Sequence, residues 1–509
     1  MHFRSACPVL PGGLIFLLAL LLGACNSAPW VSSDRLATAA AQTQPPVADV
    51  PATAGPEPVQ PSATAEIQAT PTPSATPLPP APEANYTIRA ALDFEQRTLS
   101  VEQTIQAQSP AAAPLGELLL AVEANRLGDV FTLEALTWGD GTPVQQYQLD
   151  GPVLRIQPAA PLQPGERIDL GLRYTLRLKA MYSYLGWTGR QLNLGDWYPF
   201  LPAYSAETGW LYHNLSNVGE HLVYPAINYN VTLTLAPYER PLIVAASAPG
   251  EAVDGTYSFM LRQARGFALS ISPEFQVLST EAGDVNIRAY VFAENMAAGQ
   301  ASIEAARDAV TLFSEIYAPY PHPGLAIVEA DFFDGMEYSG LFFLGAEYFN
   351  AYPGRPTTYL VPLSAHETAH QWWYSLVGND PALQPWLDEA FCTHSEALFY
   401  ERYYPDLVNW WWNYRIWRFL PSGKVDSSIY TEQEFRPYVD AVYLQGVKFL
   451  DAVRREMGDE QFLAFFQEYA QRYAGRLADT RGALELLQAH SEKDLSPFMI
   501  EYFENEGQK

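Results

Sequence analysis

His366, Glu367 and His370 form the segment His-Glu-Thr-Ala-His, and Glu389 follows after eighteen intervening residues, within Trp386-Leu-Asp-Glu-Ala-Phe391. On a helix turning about 100° per residue, positions 366, 370 and 367 fall near about 0°, 40° and 100°, so two imidazoles and a carboxylate share one face. The flanking residues supply the scaffold. Leu360 to Leu376 reads as a buried helix ended by Gly378, and Pro385 opens a second helix that carries Glu389 to about Tyr404 before Pro405. The short stretch between them allows a chain reversal that returns Glu389 to the two histidines, so the expected scaffold is helix, turn, helix.

Two neutral imidazoles and one carboxylate match what a catalytic zinc ion requires, with a fourth tetrahedral position left for water. The ion lowers the pKa of that water to about 7, and Glu367 is the carboxylate placed to take its proton. Chance is a poor rival: with 8 histidines in 509 residues, the motif is expected roughly 0.008 times before Glu389 is required.

Further segments carry a resemblance. The second block reads Trp386-Leu-Asp-Glu-Ala390, close to W-L-N-E-G. Asp334-Gly-Met-Glu-Tyr-Ser-Gly340 resembles G-A-M-E-N, with Tyr338 for the asparagine, and Tyr443-Leu-Gln-Gly446 resembles Y-x-K-G, with Gln445 for lysine. Over roughly residues 85 to 509 the chain resembles the gluzincin zinc aminopeptidase family, which includes aminopeptidase N and leukotriene hydrolase. The resemblance implies one Zn2+ per chain on His366, His370 and Glu389, Glu367 as the base, and Tyr443 as donor to the tetrahedral oxyanion. It also implies that Glu337, with Met336 and Gly335 beside it, holds the free α-ammonium of a peptide. The expected activity is removal of N-terminal residues from peptides. A zinc endopeptidase on the same site is the alternative, and an inactive, metal-bound binding lipoprotein a third reading.

The N-terminus reads as an address. Arg4 precedes an apolar run from Leu14 to Leu22, and Leu22-Gly-Ala-Cys25 resembles the box of bacterial lipoprotein precursors. The run is short for a hydrocarbon core of about 30 Å, which argues against an ordinary membrane span. The expectation is a signal peptide over 1–24, lipid on Cys25, and an extracytoplasmic, membrane-anchored bacterial lipoprotein; an uncleaved anchor is the alternative. Residues 25–84 are rich in Pro, Ala and Thr and read as a disordered tether. Cys392 is then the one thiol left in the mature fold, excluding an internal disulfide, and it reads as a buried helix residue rather than a fourth ligand. A net charge of −27 disfavours nucleic acid and simple adhesion to anionic lipid.

The remaining chain is expected to be multidomain. From Tyr86 come short runs with apolar–polar alternation: Tyr86–Leu92, Thr98–Ile105, Val153–Ile156, Ile168–Leu178, Val231–Leu235 and Phe267–Ile271. They predict an antiparallel β domain over 85–280, saddle-like if the resemblance holds. Residues 281–509 begin with strand-like Val285–Phe292, Leu325–Ala330 and Gly340–Leu344, contain helical Ala301–Tyr317, and are then nearly all helical. The resemblance implies a thermolysin-like α+β catalytic domain with an edge strand near Glu337. It also implies a form without the C-terminal helical domain of larger relatives, and hence a more open cleft.

Secondary candidates are weighed by position. Glu396, seven residues after Glu389, returns to nearly the same helix face and is either a partner of a metal ligand or an ordinary carboxylate. His394 reads as a satisfied helix histidine, and the aromatic stretch Asn409–Trp417 and Asp196-Trp-Tyr-Pro199 read as core first. Tyr438 and Tyr430 compete with Tyr443 for the oxyanion role.

Overall fold

The computed structural model describes residues 84–505. The expected signal peptide, Cys25 and nearly all of the tether lie outside the described residues. Among the described residues no helix is long and apolar enough to cross a membrane.

The N-terminal region is mostly β-structure, built on a seven-stranded sheet. Its strands form because alternate residues are apolar. In Arg167–Arg177, Ile168, Leu170, Leu172, Tyr174 and Leu176 all face the core while the intervening residues are half-buried or exposed. Asn85–Asp93, Thr98–Gln108 and Ile227–Leu235 repeat this pattern. Every pairing in the sheet is antiparallel except that of Asn85–Asp93 with Ile227–Leu235, which is parallel. Trp197 and Tyr198 are fully buried in this core, as expected for their segment.

A five-stranded sheet then opens the second region, in the order Gln276–Ala282, Val285–Val291, Gly324–Ala330, Leu341–Gly345, Gly335–Tyr338. Gln276–Ala282 runs through the expected boundary at 280 and pairs with Val285–Val291, so it goes with this second sheet. Gly324–Ala330 is buried along its whole length and parallel to both neighbours, the usual fate of a continuous apolar run. Gly335–Tyr338 pairs only with Leu341–Gly345 and is the sheet's edge.

The long helix Met296–Ile316 lies on this sheet and on the helix Leu360–Ala369, with Ser302 and Ser364 hydroxyls 2.7 Å apart at the crossing. All ten residues of Leu360–Ala369 are buried, so that helix is apolar on every side but the one its polar residues occupy. Trp386–Tyr403 packs against it, and helices Gly446–Met457, Asp459–Tyr473, Thr480–Ala489 and Ser496–Tyr502 complete the region.

The first of the expected pair of helices is shorter than its apolar pattern predicts. It ends at His370 rather than near Leu376, because Tyr374 adopts φ 133° and the backbone from Ser375 bonds back in wider turns, Ser375 N–H to His370 O at 2.9 Å. The carbonyl of Trp373 is thereby turned toward His370.

Candidate metal centre and peptide site

The helix Leu360–Ala369 and its end residue present His366, Glu367 and His370, and Trp386–Tyr403 brings Glu389 against them. Ligand atoms of His366, His370 and Glu389 all lie within 4.8 Å of one another. Nε2 of His366 is 3.3 Å and Nε2 of His370 is 3.7 Å from Glu389 Oε2, an oxygen that is buried and accepts no hydrogen bond from the protein. Each ring's other nitrogen is taken: His366 Nδ1 lies 3.1 Å from Glu396 Oε1, and His370 Nδ1 lies 3.0 Å from Trp373 O. Two imidazoles held at Nδ1, with both Nε2 atoms turned to one orphaned carboxylate oxygen, fit a single zinc ion.

Glu396 resolves toward the metal. It is fully buried, accepts from Trp411 Nε1 at 3.0 Å and from Arg415 Nε at 2.8 Å, and so passes a fixed orientation to His366. Trp411, within the aromatic stretch read as core, is both core and support for this carboxylate. Burial alone would lower the His366 imidazole, but the carboxylates of Glu389 and Glu396 push it up to about 10, as expected at a place built for positive charge. Burial lowers His370 to about 4.

Glu367 is buried beside the triad, with one oxygen free of any donor. Burial raises its carboxyl well above the usual range. Gly335 touches it: a Cβ there would sit 2.2 Å from Glu367 Oε1, so only glycine lets the edge strand approach so closely. Met336 is half-buried against the apolar cluster behind the sheet. Glu337 turns to the site, its Oε1 3.7 Å from His370 Nδ1 and without a donor. Tyr338, in place of the resembled asparagine, is buried toward the β region near Gly195 and Gly266.

Tyr443 lies on the π-helical turn Asp440–Gln445, a widened turn of the kind common at functional sites. Its ring is parallel to that of His366, at 6.2 Å and 6°, and the charge of Glu389 acts on its phenol. Burial keeps this phenol protonated far above neutral pH, so it is a donor. Tyr438 packs edge-on against it at 5.9 Å. Tyr430 is committed elsewhere, its hydroxyl donating to Asn214 O at 2.6 Å.

Cys392 is buried, with Sγ 3.8 Å from Trp373 O, and is no fourth ligand in the group that holds the triad. His394 is not satisfied as expected: neither ring nitrogen has a partner, because the ring is packed on Phe462 at 5.1 Å. Burial accordingly holds it neutral.

Sequence reasoning missed Glu220. It belongs to the β region, on the segment whose ends Tyr212 and Leu222 pair, and its charge acts on Glu337 across the site. The segment is fastened to the helical region by His213 Nε2 to Asp380 Oδ2 at 2.8 Å and by Ser216 Oγ donating to Ile429 O at 2.7 Å. Burial and the charge of Glu389 push Glu220 up to about 8, and burial with the charge of Glu220 raises Glu337. Two carboxyls that raise one another in this way form a place that a cation would relieve. No local pattern marks Glu220; only the fold brings it there.

Comparison with known proteins follows the same lines. Residues 301–502 match the Peptidase family M1 domain. Over 238 residues the chain is 25% identical to Aminopeptidase M1-A of Oryza sativa subsp. japonica, covering 43% of this chain and 27% of that protein. It is 28% identical over 192 residues to Aminopeptidase N of Lactobacillus delbrueckii subsp. lactis, covering 33% and 22%. The matches thus span about a quarter of those relatives' lengths. Among solved structures, the M1 zinc metallopeptidase of Deinococcus radiodurans superposes with a TM-score of 0.61 at 19% identity, over 83% of this chain and 94% of that one. A mutant of that enzyme bound to a Tyr-Ser-Ala substrate superposes at 0.58 and 18% identity, over 83% and 94%. At such identities the superpositions speak for the fold.

Proposed function

We propose, from the match of residues 301–502 to the Peptidase family M1 domain, that the protein is a zinc-dependent aminopeptidase acting on peptides. The observation that carries the reading is the pairing of half-buried Glu220 with buried Glu337, whose charges act on one another beside the His366, His370 and Glu389 triad. His366, His370 and Glu389 would hold one zinc ion per chain, which would supply Lewis-acid chemistry for polarising a carbonyl and easing deprotonation of water.

The chain's own residues perform the rest. A peptide extends along the open edge of Gly335–Tyr338 as an added strand. Its α-ammonium is held between Glu220 and Glu337, which fixes the first peptide bond over the triad. Glu367 takes the proton of the attacking water and returns it to the departing amine. Tyr443 donates to the oxygen that gains charge. Glu396 and the Trp373 carbonyl hold the two imidazoles in place.

The test is a peptide series with free and acetylated amino termini. Cleavage of the first bond only, and only in free peptides, supports the aminopeptidase reading; equal cleavage at internal bonds makes the protein a zinc endopeptidase.

We also propose that the protein is a bacterial lipoprotein, lipidated at Cys25 and held outside the cytoplasm by the tether of residues 25–84. The support is Arg4, the apolar run and Leu22-Gly-Ala-Cys25. Cys25→Ala should release or misprocess the protein, and mass spectrometry of an intact, unmodified N-terminus would refute the assignment.

A further inference from the structure

Arg418 is one of several arginines without a carboxylate partner in a chain with a net charge of −27, and it is the one near Tyr359 and the metal helix. Among the described residues it pairs with no carboxylate. Its guanidinium lies 4.1 Å over the ring of Tyr414 and donates from Nη2 to Tyr359 O–H at 2.8 Å. Arg415 shares the same tyrosine, 5.3 Å over the Tyr359 ring, but its charge is spent on Glu396. Of the two guanidiniums on Tyr359, only that of Arg418 is exposed and uncommitted.

Its position relative to the site follows from strand direction. The proposed amine anchor Glu337 lies toward one end of the edge strand, and Gly335, against Glu367, lies at the other. A peptide anchored at Glu337 therefore leaves the site past Asp334. Tyr348 donates to Asp334 Oδ1 at 3.1 Å, its ring lies 6.3 Å from that of Tyr359, and Tyr359 accepts from Arg418. These contacts form a line from Asp334, the neighbour of Gly335, to the exposed Arg418. Its reach is on the order of three to four extended residues, at about 3.5 Å each.

We infer that Arg418, held by Tyr359 and Tyr414, is a subsite for the C-terminal carboxylate of short peptides. An aromatic-stacked guanidinium presents a fixed fork of donors, and a carboxylate is the group that matches it bidentately. The substrates are then oligopeptides of about three to five residues, read at both ends: the ammonium at Glu220 and Glu337, the carboxylate at Arg418. This rests on the aminopeptidase reading for the direction of the peptide, but not for the contact itself.

The experiment measures binding, so that it stands apart from turnover. Zinc-loaded Glu367→Gln protein is titrated by calorimetry with tri-, tetra- and pentapeptides of one sequence series, each as the free acid and as the C-terminal amide. The acid should bind about tenfold more tightly at the favoured length. In the Glu367→Gln, Arg418→Gln double variant the two Kd values should converge on that of the amide, and Arg418→Lys should restore part of the difference. A general collapse of the site would weaken acid and amide alike. Equal binding of acid and amide, no peptide binding, or a preference for acid that survives Arg418→Gln would each overturn the assignment. Cleavage at internal bonds of acetylated peptides would refute the aminopeptidase reading without bearing on this ratio.

Discussion

Glu396 Oε1 stands 3.1 Å from Nδ1 of His366, on the side of the ring away from Glu389. The carboxylate is itself pinned by Arg415 and Trp411. Such partners commonly account for 10- to 100-fold in metal affinity. Glu396→Gln should therefore weaken zinc binding by about 10- to 100-fold, read by competition with a chelator, whereas His370→Ala should leave no zinc by elemental analysis. Full occupancy in His370→Ala would dismiss the triad.

Glu367 touches the space before the triad without belonging to it. Glu367→Gln should keep one zinc per chain and lose several orders of magnitude in kcat. Near-normal turnover in a fully loaded variant would assign water activation to another group.

The phenol of Tyr443 has only one role left if it is not a ligand. Tyr443→Phe should lower kcat by about 10²–10³-fold with little change in KM. If the rate holds and Tyr438→Phe is the variant that falls, the oxyanion donor is Tyr438, its edge-on neighbour.

The amine anchor makes a paired prediction. Glu337→Gln and Glu220→Gln should each weaken cleavage of peptides with free amino termini, mainly through KM, with zinc content intact. A variant of Glu220 indistinguishable from the unmodified protein would confine the anchor to Glu337.

Much of this site was legible in the sequence, and the rest was not, for physical reasons. His366, His370 and Glu389 sit at spacings that a helix and a turn convert directly into geometry. Glu396 shows as a helix-face neighbour of Glu389, though only the packed Arg415 and Trp411 decide its role. Glu220 lies far from Glu337 in the chain, and nothing local to Val218-Gly-Glu220 points to it. The early end of the first metal helix was hidden because apolar periodicity continues through Trp372 and Trp373 while the backbone turns away. The strands of the β region were visible by alternation, but the parallel pairing of Asn85–Asp93 with Ile227–Leu235 is a matter of topology.

Asp196 supplies a pH test away from the metal. It is buried, its Oδ1 accepts from Tyr224 at 2.8 Å, and burial raises its carboxyl to about 6. The folded state then holds the proton more tightly than the unfolded chain. Stability is fullest below about pH 4, falls as pH rises to about 6, and stays reduced above, by about 3 kcal/mol for a shift of about two units. Asp196→Asn should remove that slope and be the more stable protein at pH 8 in denaturant melts, since asparagine also tolerates the φ of 47° found there. An unaltered pH slope would show that Asp196 is ionised in the folded protein at little cost.

The mutual influence of Glu220 and Glu337 joins a residue of the N-terminal β region to the edge strand of the second region. On the proposed reading, the choice of which bond to break therefore rests in part on a stretch remote in sequence from the residues that break it. Changes in the segment from Tyr212 to Leu222 can redirect what is cut while the hydrolytic centre is inherited intact, so divergence among such proteins is expected to be recorded first in that segment.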